Sequence, residues 1–90
     1  MTDYLITPRG GKQMAAPKDG VAFSVTELQD MVDGYITIED IGELKVVYDV
    51  DGDLKGKLYN KAATELIRSY HEFKGFVSGN AVICRRVRVD

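Results

Sequence analysis

The stretch LKVVYDVDGDLKGKLYNKAATELI, residues 44–67, reads as a strand, an acidic turn and the start of a helix, and the rest of the chain arranges itself around it. In the strand half, Leu44, Val46, Tyr48 and Val50 alternate with Lys45, Val47 and Asp49. That period of two predicts one packed face and one largely wet face. Asp51-Gly52 supplies a turn, because Gly accepts positive φ and Asp bonds its own following backbone. Asn60 stands where an N-cap is needed, ahead of Ala62, Ala63, Leu66, Ile67 and Tyr70 at helical spacing. The spacing predicts a helix that ends near residues 71–73, with Lys61, Glu65 and Arg68 outside.

Working outward, DYLITP (3–8) and KQMAA (12–16) flank Arg9-Gly10-Gly11 and read as a β-hairpin closed by Pro8 and Pro17. In FSVTEL (23–28), Ser24 at N-cap and Glu27 at N3 form a capping box, and Phe23 with Leu28 has the spacing of a hydrophobic staple. A helix is therefore predicted over 25–32, with Val25, Leu28, Met31 and Val32 buried and Gly34 as its left-handed stop. YITIEDI (35–41) should pair with 44–50 as an antiparallel hairpin, and AVICRRVRV (81–89) forms the last strand. The order is ββαββαβ. This predicts an α+β fold in one domain, residues 1–90, whose mostly antiparallel sheet of about five strands carries two short helices on one face.

Ninety residues support one small core, so a homo-oligomer is expected to add stability. The net charge of -2 argues against a dedicated nucleic-acid binder. Its distribution is uneven: residues 1–18 carry +2, residues 19–53 carry -9 and residues 54–90 carry +5. Either these regions neutralise one another or the acidic one steers a basic partner. The single Cys84 permits no internal disulfide and suits a reducing cytoplasm, where it serves as a small buried hydrophobe. No apolar run reaches membrane-spanning length, and MTDYLITPRGG lacks the regions of a signal peptide, so a cytoplasmic protein is expected.

FSVTELQDMVDGYITI, DVDGDLKGKLYNKAATEL and FVSGNAVIC, taken in order, resemble the family known as domain of unknown function 3846. The likeness covers nearly the whole chain. Family members usually have Gly-Gly-Tyr at Asp33-Gly34-Tyr35, a Pro near Leu58 and Gly-Asp at Gly79-Asn80. The resemblance implies a small accessory protein of a phage, plasmid or conjugative element, and such proteins often block host defence machinery or hold its signalling nucleotides. It implies no particular activity.

Several constellations invite chemistry and are weighed against plainer roles. Asp49, Asp51 and Asp53 imitate the start of an EF-hand loop, but Leu54 and Asn60 occupy the positions of its Gly and bidentate Glu, so no metal is expected. The three acids are instead expected to face a protein partner, a host or defence-system component. Arg9 and Lys12 border a glycine turn able to hold an anion. Arg86 and Arg88 share a face of the last strand, which has no aromatics for stacking on nucleic acid. Tyr35 and Tyr59 flank turns and are the tyrosines best placed to be exposed. Together these six residues are the expected contacts for a nucleotide-like anion. The lone His71 lacks a nucleophile or paired acid at readable spacing, so no enzymatic activity and no cofactor are expected.

Overall fold

The computed structural model of the protein describes residues 3–88. Strands β1 (Asp3–Ile6), β2 (Lys12–Ala15), β4 (Ile36–Ile41), β5 (Leu44–Asp49) and β6 (Ala81–Cys84) form one sheet in the order β2-β1-β6-β5-β4. Every neighbouring pair in it is antiparallel. Two helices, α1 (Val25–Val32) and α2 (Lys61–Arg68), complete an α+β fold.

Helix α1 starts as its sequence predicts. The Ser24 hydroxyl accepts from the Glu27 amide at 3.1 Å, and the Glu27 carboxylate accepts from the Ser24 amide at 3.1 Å. Phe23 and Leu28 are both buried, as a staple requires. The stop differs: Asp33, not Gly34, takes the left-handed conformation, with φ 56 and ψ 57. Helix α2 begins at its Asn60 cap but ends at Arg68, before the predicted 71–73. Its last turn tightens, because the Tyr70 amide donates to the Ile67 carbonyl three residues back.

The two helices lie on opposite faces of the sheet, which corrects the expectation that both share one. Leu28 and Val32 of α1 pack with Leu5, Val47, Val82 and Cys84. Ala63 and Ile67 of α2 pack with Ile6, Val46, Tyr48, Ala81 and Ile83. Strand β5 therefore has no wet face, since Val46 and Val47 point to opposite sides and both are fully buried. Each such side chain contributes about 1.5–3 kcal/mol on burial, and the neighbouring sandwiched strand β6 adds Val82 and Ile83. A sheet covered on both sides tolerates continuous apolar runs such as AVIC, and that run lies at its centre.

The last strand is also divided. After Cys84 the chain bends at Arg85, and β7 (Val87–Arg88) pairs in parallel with β3 (Phe23–Ser24) in a second, two-stranded sheet. The Phe23 amide donates to the Arg86 carbonyl at 3.1 Å. The bend frees Arg85 and Arg86 from the apolar layers on both sides of β6, and both side chains are exposed. Cys84 is fully buried, and burial pushes its thiol up to about 11. Among the described residues no helix is long and apolar enough to cross a membrane.

Candidate functional site

One end of the sheet gathers the segments that enter and leave β4, β5, α2 and β6. Strand β5 ends there at Asp49, β6 begins there at Ala81 opposite Tyr48, and α2 starts from Asn60. Two buried polar side chains fasten these loops.

The first is Asp49, whose carboxylate is fully buried. Lys57 Nζ donates to it at 2.7 Å, Lys55 Nζ at 3.0 Å and the Asp51 amide at 2.9 Å. Burial pushes the Asp49 carboxyl up, but these hydrogen bonds more than offset it and hold the group below its ordinary value. Lys57 Nζ also donates to the carbonyls of Val32 and Asp33, at 2.7 and 2.6 Å. It thereby neutralises the negative end of α1 and joins that helix to the turn after β5. Gly34 is small for this reason, because a Cβ there would lie 2.5 Å from Asp49 Cγ.

The second is Asn60, also fully buried. Its side-chain oxygen accepts from the Ala63 amide at 3.1 Å, and its nitrogen donates to the carbonyls of Ile6 at 3.1 Å and Gly79 at 2.9 Å. Thr64 extends the link, donating to the Asn60 carbonyl at 2.8 Å and accepting from the Val77 amide at 2.9 Å. Tyr59 bridges to Ser78 alongside. The loops at this end are thus tied to β1, α1 and α2.

On this fixed frame sit exposed apolar side chains. Tyr35 is 73% exposed, Val50 51%, Leu54 82%, Leu58 58%, Tyr59 46% and Phe76 48%. Tyr35 and Val50 are neighbours, because the Val50 amide donates to the Tyr35 carbonyl at 2.9 Å. Tyr59 and Phe76 meet edge to face, with ring centroids 5.9 Å apart. Gln29, Asp30, Asp33, Gly34, Tyr35 and Lys55 line a cleft of about 290 Å³ at the C-terminus of α1. The nearby turn adds Asp53, exposed, and Asp51, half-buried.

The structure redistributes the residues expected from sequence. Asp49 cannot face a partner: it is an internal anchor, and only Asp51 and Asp53 of the three acids reach solvent. Tyr35 and Tyr59 are exposed, as expected. The six proposed anion contacts do not converge. Arg9 is exposed on the β1–β2 turn, and Lys12 holds its ammonium 4.2 Å from the Tyr4 ring centroid. Arg86 lies toward the far end of the sheet, in a cleft of about 250 Å³ with Asp3, Gly20, Val21 and Arg85. The Arg88 side chain lies outside the described residues. His71 faces Glu39 at 3.6 Å. Sequence reasoning missed Leu54, Leu58 and Phe76, whose signal was apolar residues between turn-forming glycines and lysines.

Comparison with protein-family models, curated proteins and solved structures gives no match for this chain. Its functional reading rests on its own residues.

Proposed function

We propose that the protein is a non-enzymatic protein-binding module whose docking surface is the loop end of the sheet. The supporting observation is the concentration of Tyr35, Val50, Leu54, Leu58, Tyr59 and Phe76 on loops held by Asp49 and Asn60. Exposed aromatic and aliphatic side chains on a rigid frame lose little entropy on binding, and Tyr is among the residues that anchor interfaces. Asp30, Asp33 and Asp53 border this surface and select a partner with basic groups around its apolar anchors. The setting implied by the resemblance, a phage or mobile element in a bacterial cytoplasm, makes a host defence component the favoured partner.

The test is affinity capture with the wild type and with Tyr35→Ser/Tyr59→Ser, using Met14→Ser as a control on the opposite edge of the sheet. A partner retained by the wild type and control should bind the double variant more weakly by about 2 kcal/mol, roughly thirtyfold in Kd. Recovery of the same proteins by all three removes this surface from the reading.

A second reading, a binder of nucleotide-like anions, rests on the cleft that Arg85 and Arg86 line. A nucleotide that raises the melting temperature of the wild type but not of Arg86→Ala would support it; no shift with any nucleotide would end it.

A further inference from the structure

We infer that β4 is the pairing edge of a homodimer, in which two copies join their sheets antiparallel about Ile38. The inference concerns an edge of the sheet and does not depend on the docking surface at its loop end.

Among the described residues, strand β4 has β5 on one side and an open edge on the other. The Val50 amide donates to the Tyr35 carbonyl, and the β4–β5 register places Thr37 opposite Tyr48, Glu39 opposite Val46 and Ile41 opposite Leu44. By alternation these odd-numbered residues exchange their backbone bonds with β5. Ile36, Ile38 and Asp40 turn their N–H and C=O groups outward, where no partner meets them among the described residues.

The two edges of the sheet differ in protection. Strand β2 has four residues, includes Lys12 and is followed by Pro17, devices that discourage pairing. Strand β4 is an unbroken six-residue run, ITIEDI, without Lys, Pro or a bulge. Ile36 and Ile38 project to the α1 side of the sheet and are only half-buried against its core.

Self-pairing selects one register. About Ile38, the outward residues pair as Ile38 with Ile38 and Ile36 with Asp40, and Thr37 stands opposite Glu39. No like charges oppose each other. Centring on Asp40 or on Glu39 sets two carboxylates face to face, and centring on Thr37 or on Ile36 keeps only three residues or one of each strand opposite its partner, against five about Ile38. In the surviving register the two-fold axis is perpendicular to the sheet, so both α1 helices stay on one side. The isoleucines at 36 and 38 of both copies then form a continuous apolar row beneath them. Pairing covers edge amides and this row together, a gain that a 90-residue core cannot supply alone.

Native mass spectrometry and sedimentation of the full chain at about 0.1 mM, where a micromolar dimer is nearly complete, test this. The expected species has twice the 10.0 kDa chain mass. Ile38→Lys sets two ammonium groups at the axis and should raise the dimer Kd at least about thirtyfold, and Ile38→Glu should do the same. Mixing the two variants should restore a dimer containing one of each, which a merely damaged fold would not do. Amide exchange of the wild type reads the same edge without substitution: Ile36, Ile38 and Asp40 should be protected in the dimer. A monomeric wild type, a ladder of species beyond two copies, a dimer indifferent to both substitutions, or unprotected amides at these positions would each overturn the inference.

Discussion

Lys57 Nζ lies 2.7 Å from Asp49 Oδ2 while donating to the Val32 and Asp33 carbonyls, so one ammonium group serves a buried carboxylate and the end of a helix together. Replacing Lys57 by Met keeps most of its stem but leaves Asp49 with Lys55 and one amide, and leaves the carbonyls of Val32 and Asp33 without that cation. Breaking a buried pair from one side costs about 3–5 kcal/mol. Lys55 remains as a partial substitute, so Lys57→Met should destabilise by about 3 kcal/mol in urea unfolding. In a chain of this size that is a fall of roughly 15 °C in Tm. A loss below about 1 kcal/mol would place the pair among ordinary surface bridges.

The same carboxylate fixes a pH response. Asp49 is held below its ordinary value when folded, so the unfolded chain binds more protons in acid. Its contribution is full above the unfolded value of about 3.9 and is lost as pH falls through the folded one. Glu27 has the same sign, because the Lys18 and Ser24 amides donate to its carboxylate and lower its value. Tm should be flat from about pH 7 to about pH 5 and decline below about pH 4. Asp49→Asn should be less stable at neutral pH and lose less in acid, so the two calorimetric profiles converge. Parallel profiles would mean that Asp49 contributes nothing to the acid transition.

Much of the architecture was readable where the signals are local. Ser24 with Glu27, Asn60 ahead of its helix, and the hairpin through Gly42-Glu43 each depend on residues within a few positions, and each appears as predicted. What failed depends on distant partners. The alternation around Val46 and Val47 suggested a wet face, because nothing in the strand announces that α1 covers it. The break at Arg85 answers to a pairing of Val87 with Phe23, over sixty residues away in sequence. Asp49 reads as an acid facing a partner because Lys55 and Lys57 reach its carboxylate only once the turn over residues 51–56 folds the chain back on itself. At the candidate site the exposed tyrosines were legible, but the meeting of Tyr59 with Phe76 depends on the bridge from Tyr59 to Ser78, nineteen residues on.

Asn60 supports a sharper substitution test. Asp caps helices as well as Asn does, so by local propensity Asn60→Asp should be harmless. Here the side-chain nitrogen donates to the Ile6 and Gly79 carbonyls inside the protein, and a carboxylate would turn oxygen toward oxygen there. Asn60→Asp should therefore cost about 3 kcal/mol or more, at least as much as Asn60→Ala, because unpaired buried acceptors and a buried charge are both expensive. The measurement is urea unfolding of both variants at neutral pH. A near-neutral Asn60→Asp would show that only the cap to Ala63 matters.

Asp33 and Gly34 exchange the roles that their types suggest, and that exchange yields the last test. Asp33 occupies the left-handed position that glycine favours, at a cost of roughly 1 kcal/mol. Gly34 has no positive φ but abuts the Asp49 carboxylate, where a Cβ would stand 2.5 Å from Cγ. Asp33→Gly should stabilise the fold by up to about 1 kcal/mol, since Lys57 holds the backbone carbonyl at this position and not the side chain. Gly34→Ala should destabilise by about 1–3 kcal/mol by displacing the carboxylate from its two lysines. If the cost of Gly34→Ala came from backbone conformation alone, it would persist in an Asp49→Ala background. If it comes from the carboxylate, as the contact requires, the double variant should recover most of it.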